Sequence, residues 1–177
     1  MKSNFDFDKF SPRILGGIST SPREDIDRVE RGLSLKLPLA LTDLLMKIKG
    51  AVIFDKDLAF TSTEANPWQD KHGRNEIALF YGIAPDVNGL LEKNSTYHEQ
   101  TPVESIVIGE CPGGNLLCLD RGTGHVQFFD HEAPGDTEGI FMVAKNFDDF
   151  LEKIEVVADT PDEIGQKIVQ GDSYLDF

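Results

Sequence analysis

The amino-acid sequence predicts an α+β fold, a single domain with a central, mostly antiparallel sheet flanked by helices. Apolar residues recur at helical spacing before residue 50, and this spacing returns after residue 146. Between these segments lie short β-branched and aromatic runs, separated by turns that contain glycine and proline. Helices on both sides of a block of strands are typical of the α+β class. The length of 177 residues suits one domain with a sizeable core.

Two helices are predicted in the first 50 residues, after an irregular lead-in over residues 1–20. Ser21-Pro22-Arg23-Glu24 has the pattern of a capping box, so a helix is expected from here to about residue 31, ending at Gly32. The second helix is expected to end at Gly50. Its apolar stripe has spacing i, i+3, i+4 and i+7: Leu41, Leu44, Leu45 and Ile48.

Strands are predicted through the middle of the chain. Ala51–Phe54 and Leu58–Thr61 flank three polar residues and are predicted to form a hairpin. A loop over residues 63–74, a strand over 76–83 and a short helix near Leu90 are expected next. An antiparallel meander should follow, because glycine-rich turns join its strands. The meander strands are residues 105–109, 115–120 and 126–130, with a further strand over 140–144.

The last part of the chain returns to a helical pattern. Asn146 is the expected cap of an amphipathic helix whose apolar residues include Phe147, Phe150 and Ile154. Thr160-Pro161-Asp162-Glu163 repeats the cap-proline-glutamate pattern and predicts a final helix. Residues 156–177 are therefore expected to form a C-terminal helical extension.

The net charge of the chain argues against some classes of function. The chain has 31 acidic and 17 basic residues and a net charge of −14, which argues against binding to nucleic acid or to an anionic membrane surface. The opening residues lack the apolar run of a secretory signal, and a cytoplasmic location is expected. The four histidines do not have the spacing of metal ligands, so no metal or other cofactor is predicted. A basic protein partner and plain solubility both fit the charge.

The negative charge is concentrated near the C-terminus. Residues 130–177 contain thirteen Asp and Glu residues and three Lys, and so hold ten of the fourteen net negative charges. If the helix after residue 146 continues, four acids form one stripe opposite its phenylalanines: Asp148, Glu152, Glu155 and Asp159. Such a stripe is either a solvated face or a surface that steers a basic partner. We take the stripe as the candidate protein-binding site.

An enzyme that uses Cys111 and His131 is the competing hypothesis. Pro112 follows the cysteine and removes a backbone donor that an oxyanion hole could use, and no nucleophile-elbow pattern surrounds it. Both cysteines, Cys111 and Cys118, are expected to be reduced thiols packed as small apolar groups, because two cysteines are too few for a disulfide framework in a chain of this length. Gly113-Gly114 leads into a strand, which indicates a tight turn and not a phosphate-binding loop.

Several segments, in order, resemble the SUKH superfamily, and most closely its Smi/Knr type, named after fungal cell-wall assembly regulators. The similarity covers about residues 21–155. Its segments are Gly32–Pro38, Lys49-Gly50-Ala51, Ile106–Gly109, Gly113–Asp120, Gly124–Glu132 and Ala144–Leu151. Lys49-Gly50-Ala51 departs from the Asn-Gly-Gly that the family often has, and the resemblance does not explain the segment beyond Ile154.

The resemblance implies an α+β fold without a catalytic centre. Bacterial members look like immunity proteins of polymorphic toxin systems, which bind and block a toxin domain, often a nuclease. The first hypothesis is therefore a non-catalytic protein that neutralises a basic toxin domain by direct binding. The alternatives are a regulatory scaffold protein without a toxin partner and the Cys111/His131 enzyme.

Overall fold

A computed structural model describes residues 6–134 and 138–157 and confirms the α+β class. Its α-helices are α1 (Pro22–Leu33), α2 (Leu39–Ile48), α3 (Leu90–Tyr97) and α4 (Phe147–Glu152). The first five strands are β1 (Pro12–Leu15), β2 (Ala51–Phe54), β3 (Leu58–Thr61), β4 (Arg74–Ile77) and β5 (Leu79–Phe80). The others are β6 (Ser105–Glu110), β7 (Leu116–Asp120), β8 (Val126–Phe129), β9 (Ile140–Ala144) and β10 (Ile154–Val156).

The strands form two antiparallel sheets. The large sheet has seven strands in the order β1-β2-β5-β6-β7-β8-β9, and the small sheet has three in the order β10-β3-β4. Strands β6 to β9 are neighbours in sequence order, which confirms the predicted meander. Glycines in the connecting turns adopt positive φ, at Gly113, Gly114 and Gly124, as tight turns require.

The predicted hairpin between β2 and β3 is wrong. Both strands have the predicted bounds, but β2 pairs with β1 and β5 in the large sheet, whereas β3 pairs with β4 and β10 in the small one. None of residues 55–57 has a positive φ, the conformation that closes short hairpin turns. The connection therefore leads the chain from one sheet to the other.

The lead-in is also more ordered than the sequence pattern suggests. Phe7–Phe10 forms a 3₁₀ turn, and β1 pairs with β2 along the edge of the large sheet. Phe7 and Phe10 are both buried, and the Phe7 ring contacts those of Phe54 and Phe80. The prediction of an irregular segment is therefore wrong for residues 7–15. Burial of the two phenylalanines fixes this segment, although it lacks a long periodic pattern.

The helix ends differ from the predictions in detail. Ser21 caps α1 by position, with Pro22 in the first turn, but its side chain makes no capping hydrogen bond, so the capping box is wrong. Helix α1 continues to Leu33, one residue past the glycine expected to end it. At the end of α2, Lys49 adopts the left-handed conformation, with φ +60°. The departure from the family pattern at this position thus places a lysine where glycine or asparagine is usually favoured.

The largest difference from the predicted helices and strands is at α4. Asn146 caps it as predicted, since its Oδ1 accepts a hydrogen bond from the Asp149 N–H at 2.8 Å. The helix ends at Glu152, however, and strand β10 begins at Ile154 and pairs with β3. The β-branched residues that follow suit a strand, and pairing with β3 decides between the two conformations. The predicted C-terminal helix lies outside the described residues beyond Val157.

Asn94 joins helix α3 to the large sheet. Its Nδ2 donates to the carbonyl oxygens of Leu90 and Val107, each at 2.8 Å, and its Oδ1 accepts from the Val107 N–H at 2.9 Å. Asn94→Ala would leave the Val107 groups buried without these partners. We expect it to lower the free energy of unfolding by about 1–3 kcal/mol in urea denaturation. The neighbouring, exposed Ser95→Ala is the control, and equal stability of the two variants would contradict the role assigned to Asn94.

Candidate functional site

Two of the predicted partner-binding acids lie on helix α4. Asp148 and Glu152 are both exposed and are one helical turn apart, so they share a face. Within the described part of the chain, neither side chain forms an ion pair or a side-chain hydrogen bond. Asp149 differs, because its Oδ2 accepts a hydrogen bond from the Lys145 N–H at 3.1 Å. Asp148 and Glu152 are thus available to an incoming cation.

The other two predicted acids do not continue this helical stripe. Glu155 lies on β10, opposite Ala59 of β3, and its Oε1 is 3.6 Å from Arg74 Nη1. Asp159 lies outside the described residues. The four-residue helical stripe is therefore wrong, because α4 ends before Glu155 and a strand alternates its side chains with period two.

Arg74 connects Glu155 to a cavity on the same side of the small sheet. In addition to Glu155, its guanidinium contacts Asp70, with Nη2 at 2.7 Å and Nε at 2.9 Å from Oδ2. The cavity has a volume of about 260 Å³. It lies between the segment 68–76 and the turn 111–115, and its lining includes Trp68, Asp70, Arg74, Glu76, Cys111 and Phe128.

Asp70 and Arg74 form an ion pair at this cavity, and each group is held in its charged form. Partial burial by itself raises the pKa of Asp70, but hydrogen bonds from the Arg74 side chain and from the backbone N–H groups of Arg74 and His72 outweigh it and lower that pKa. The hydrogen bond with Asp70 is also the main reason that the pKa of Arg74 is raised. Both groups therefore remain ionised at neutral pH.

A buried amide holds the loop that carries Trp68. Asn75 on β4 is 2% exposed, and its amide exchanges two hydrogen bonds of 2.9 Å with the amide of Asn66. The Oδ1 of Asn66 also accepts from the Trp68 backbone N–H at 3.1 Å, and Ser62 donates to the Asn75 Oδ1. The Trp68 backbone is thus tied to the sheet through two asparagines.

Cys111 and His131 do not form an activated nucleophile pair in this structure. Burial, followed by the neighbouring Cys118 and Glu110, raises the pKa of the Cys111 thiol far above its usual range, which is the reverse of thiolate activation. The Cys118 pKa is likewise raised by burial, to about 12. His131 Nδ1 lies 3.2 Å from Asn115 Oδ1, and its ring packs against Gly114. Both cysteines are free and buried, which matches the expectation of reduced thiols packed as small apolar groups.

Comparison with known proteins identifies the family of this chain. The model of the SMI1 / KNR4 family (SUKH-1) matches residues 21–153. The chain belongs to the SUKH-1 family. A relative is the SPbeta prophage-derived uncharacterized protein YokK of Bacillus subtilis (strain 168), which is 29% identical over 142 residues, covering 75% of this chain and 74% of the relative. The resemblance found in the sequence is thereby confirmed, and SUKH-1 includes toxin-immunity proteins.

Metal-binding groups and membrane-spanning helices are two further kinds of feature to consider in the described residues of this SUKH-1 chain. No group of three or more His, Cys, Asp or Glu side chains in residues 6–134 and 138–157 is arranged to hold a metal ion. In the same part of the chain, no helix has the length and apolar character needed to cross a bilayer.

Sequence reasoning missed the cavity beside Trp68. Residues 63–73 form a loop and Arg74 already begins β4, one residue before the predicted end of the loop, but the sequence pattern did not show that this loop would meet the Cys111–Asn115 turn. One signal was present, since Trp68 is the only tryptophan and occurs in a polar loop, where a large aromatic residue has no local structural role. Its neighbours come from distant segments and are known only from the fold.

Proposed function

We propose that this SUKH-1 protein is a non-catalytic immunity protein that acts in the cytoplasm by binding a basic toxin domain. The observation that carries the proposal is membership of a family that includes toxin-immunity proteins. The net charge of −14 supports a basic partner, because opposite charge accelerates association and favours the complex. A nuclease domain has such a basic surface, since it must bind phosphates.

Helix α4 is the proposed first contact with this partner. The Asp148 and Glu152 carboxylates are exposed and have no ion-pair partner within the described residues, so binding a cation does not require an existing ion pair to break. Such exposed charges affect the association rate more than the dissociation rate, and salt screens them. Glu155 and Asp159 remain part of the proposed surface. Of these two, Glu155 already contacts Arg74.

The partner can be captured from a lysate of the source organism with this chain as bait, with washes at low and high salt. We expect a stoichiometric basic protein that salt releases. When the captured partner is expressed in a heterologous host, it should arrest growth, and co-expression of this chain should restore growth. A partner whose toxicity is unaffected by this chain would contradict the proposed function.

Charge reversal tests the proposed contact. The double variant Asp148→Lys/Glu152→Lys should lower the association rate with the captured partner by about threefold to tenfold, because both charges then repel it. Surface plasmon resonance at several salt concentrations measures this change. The effect should diminish as the ionic strength rises.

The matched control is Glu24→Lys/Asp27→Lys on α1, which changes the net charge by the same amount on another exposed helix face. Equal rate losses in the two double variants would mean that net charge alone, and not α4, governs association. No change in either variant would contradict electrostatic steering.

A further inference from the structure

We infer that the cavity beside Trp68 receives an arginine side chain of the partner protein. This inference rests on the proposed function and adds a specific recognition site to it. The cavity volume of about 260 Å³ is smaller than a typical small-molecule site of about 300–1,000 Å³ and suits one side chain. Binding hot spots also cluster in well-packed pockets and are enriched in arginine and tryptophan.

The indole of Trp68 provides the apolar contact. Trp68 is 39% exposed although it is large and lies at the cavity. Its ring rests against Gly113, where a Cβ atom would lie 2.8 Å from Cζ3, so only glycine permits this contact. A guanidinium that approaches an indole gains a cation–π contact, for which tryptophan is the best aromatic partner. Arginine is favoured over lysine because its planar group can also stack on the ring.

The charges around the cavity favour a cation despite the presence of Arg74. Two carboxylates, those of Asp70 and Glu76, line the cavity with Arg74, and that of Glu155 contacts the Arg74 guanidinium. Asp70 and Glu155 contact Arg74, whereas Glu76 is exposed and makes no ion pair within residues 6–134 and 138–157. In the small sheet, Ala59 of β3 pairs with Glu76 on one neighbouring strand and with Glu155 on the other. The two glutamates are therefore on the same face of this sheet. The excess negative charge is thus beside the cavity.

The cavity is also held in place before any ligand arrives. Asn75 and Asn66 fix the Trp68 backbone, and Asp70 accepts hydrogen bonds from the backbone N–H groups of His72 and Arg74 at 2.8 and 2.9 Å. A loop that is fixed in advance loses little conformational entropy when it binds. The arrangement therefore favours recognition of a side chain over a merely structural role for the exposed indole.

Tryptophan fluorescence tests the inference directly, because Trp68 is the only tryptophan in the chain. The probe is the peptide acetyl-Gly-Arg-Gly-amide, titrated into the full chain at low ionic strength. The control peptide carries citrulline, which has nearly the shape of arginine but no charge. We expect a saturable change in Trp68 emission with the arginine peptide and none with the citrulline peptide. No saturable change, or the same change with both peptides, would overturn the inference.

Two variants of equal charge change locate the binding. Glu76→Gln should raise the dissociation constant of the arginine peptide by about threefold or more, since one of the carboxylates near the cavity is neutralised. Glu99→Gln, at an exposed position that does not line the cavity, should leave it unchanged. An equal effect of both substitutions would show attraction to the net charge and not to this cavity.

The captured partner separates this inference from the proposed function. Trp68→Ala should weaken partner binding by about tenfold or more if the indole is a hot spot, with its folding checked by circular dichroism. If the partner is neutralised and Trp68→Ala binds it unchanged, the cavity inference fails and the proposed function stands. If this chain fails to neutralise its partner, the function fails, and the peptide titration alone decides whether the cavity binds arginine.

Discussion

Replacing Phe150 with alanine is expected to lower the free energy of unfolding by about 3–5 kcal/mol, because the substitution removes a large, fully buried ring. The Phe150 ring centroid lies 5.6 Å from that of Phe60 in β3, 6.1 Å from that of Phe80 in β5 and 5.6 Å from that of Phe147 in α4. This one side chain therefore contacts both sheets and its own helix. The void would open where these elements meet and could not be filled by movement of one element alone.

Urea denaturation monitored by circular dichroism measures the effect of Phe150→Ala. Phe141→Ala is the matched control, since Phe141 is only partly buried at the edge strand β9 and contacts the ring of Phe128. It should cost clearly less stability. Similar losses in the two variants would contradict the position of Phe150 between the two sheets.

Gly82→Ala is expected to lower the free energy of unfolding by a similar amount, for a different reason. A Cβ atom at residue 82 would lie 2.1 Å from the backbone carbonyl carbon of Gly50 and 2.3 Å from the backbone nitrogen of Ala51. Both are backbone atoms at the start of β2, so no side-chain rotation relieves the clash. Gly82 also accepts a hydrogen bond from the Leu90 N–H at 2.7 Å, which joins this close approach to the start of α3. We expect a loss of at least about 3 kcal/mol or failure to fold.

Gly124→Ala separates this packing effect from backbone strain. Gly124 has φ +74°, but a Cβ atom there would meet nothing within 4 Å. The control should cost about 1–2 kcal/mol, the usual penalty for an alanine in the left-handed region. Thermal unfolding of both variants makes the comparison. A Gly82→Ala protein that unfolds no earlier than Gly124→Ala would show that the two backbones are not in contact at this point.

The proposed binding surface extends across segments that are distant in sequence. Asp148 and Glu152 belong to α4, Glu155 belongs to β10, and the Arg74 that contacts Glu155 belongs to β4. The partner experiments distinguish the contribution of the α4 carboxylates from that of Trp68 by different readouts. Reversal of the α4 charges changes the association rate, whereas loss of Trp68 removes a desolvated contact and mainly raises the dissociation rate.

The sequence by itself determined the elements whose signals are local. The leucine stripe predicted α2, the glycine-rich turns predicted the β6–β9 meander, and Asn146 was identified as the cap of α4. In each case, the spacing of apolar residues or the conformation that a turn requires is set by residues near one another in the chain. The SUKH-1 membership was likewise visible in the order of its segments.

The tertiary structure alone decided which strands pair and which side chains meet. Strands β2 and β3 were correctly bounded, yet they belong to different sheets, because pairing depends on distant partners and not on the short loop between them. Residues 153–157 are not helical as predicted, because residues 154–156 pair with the edge of β3 as a strand. The cavity beside Trp68 has the same origin, since the segment 68–76 and the turn 111–115 become neighbours only through the fold.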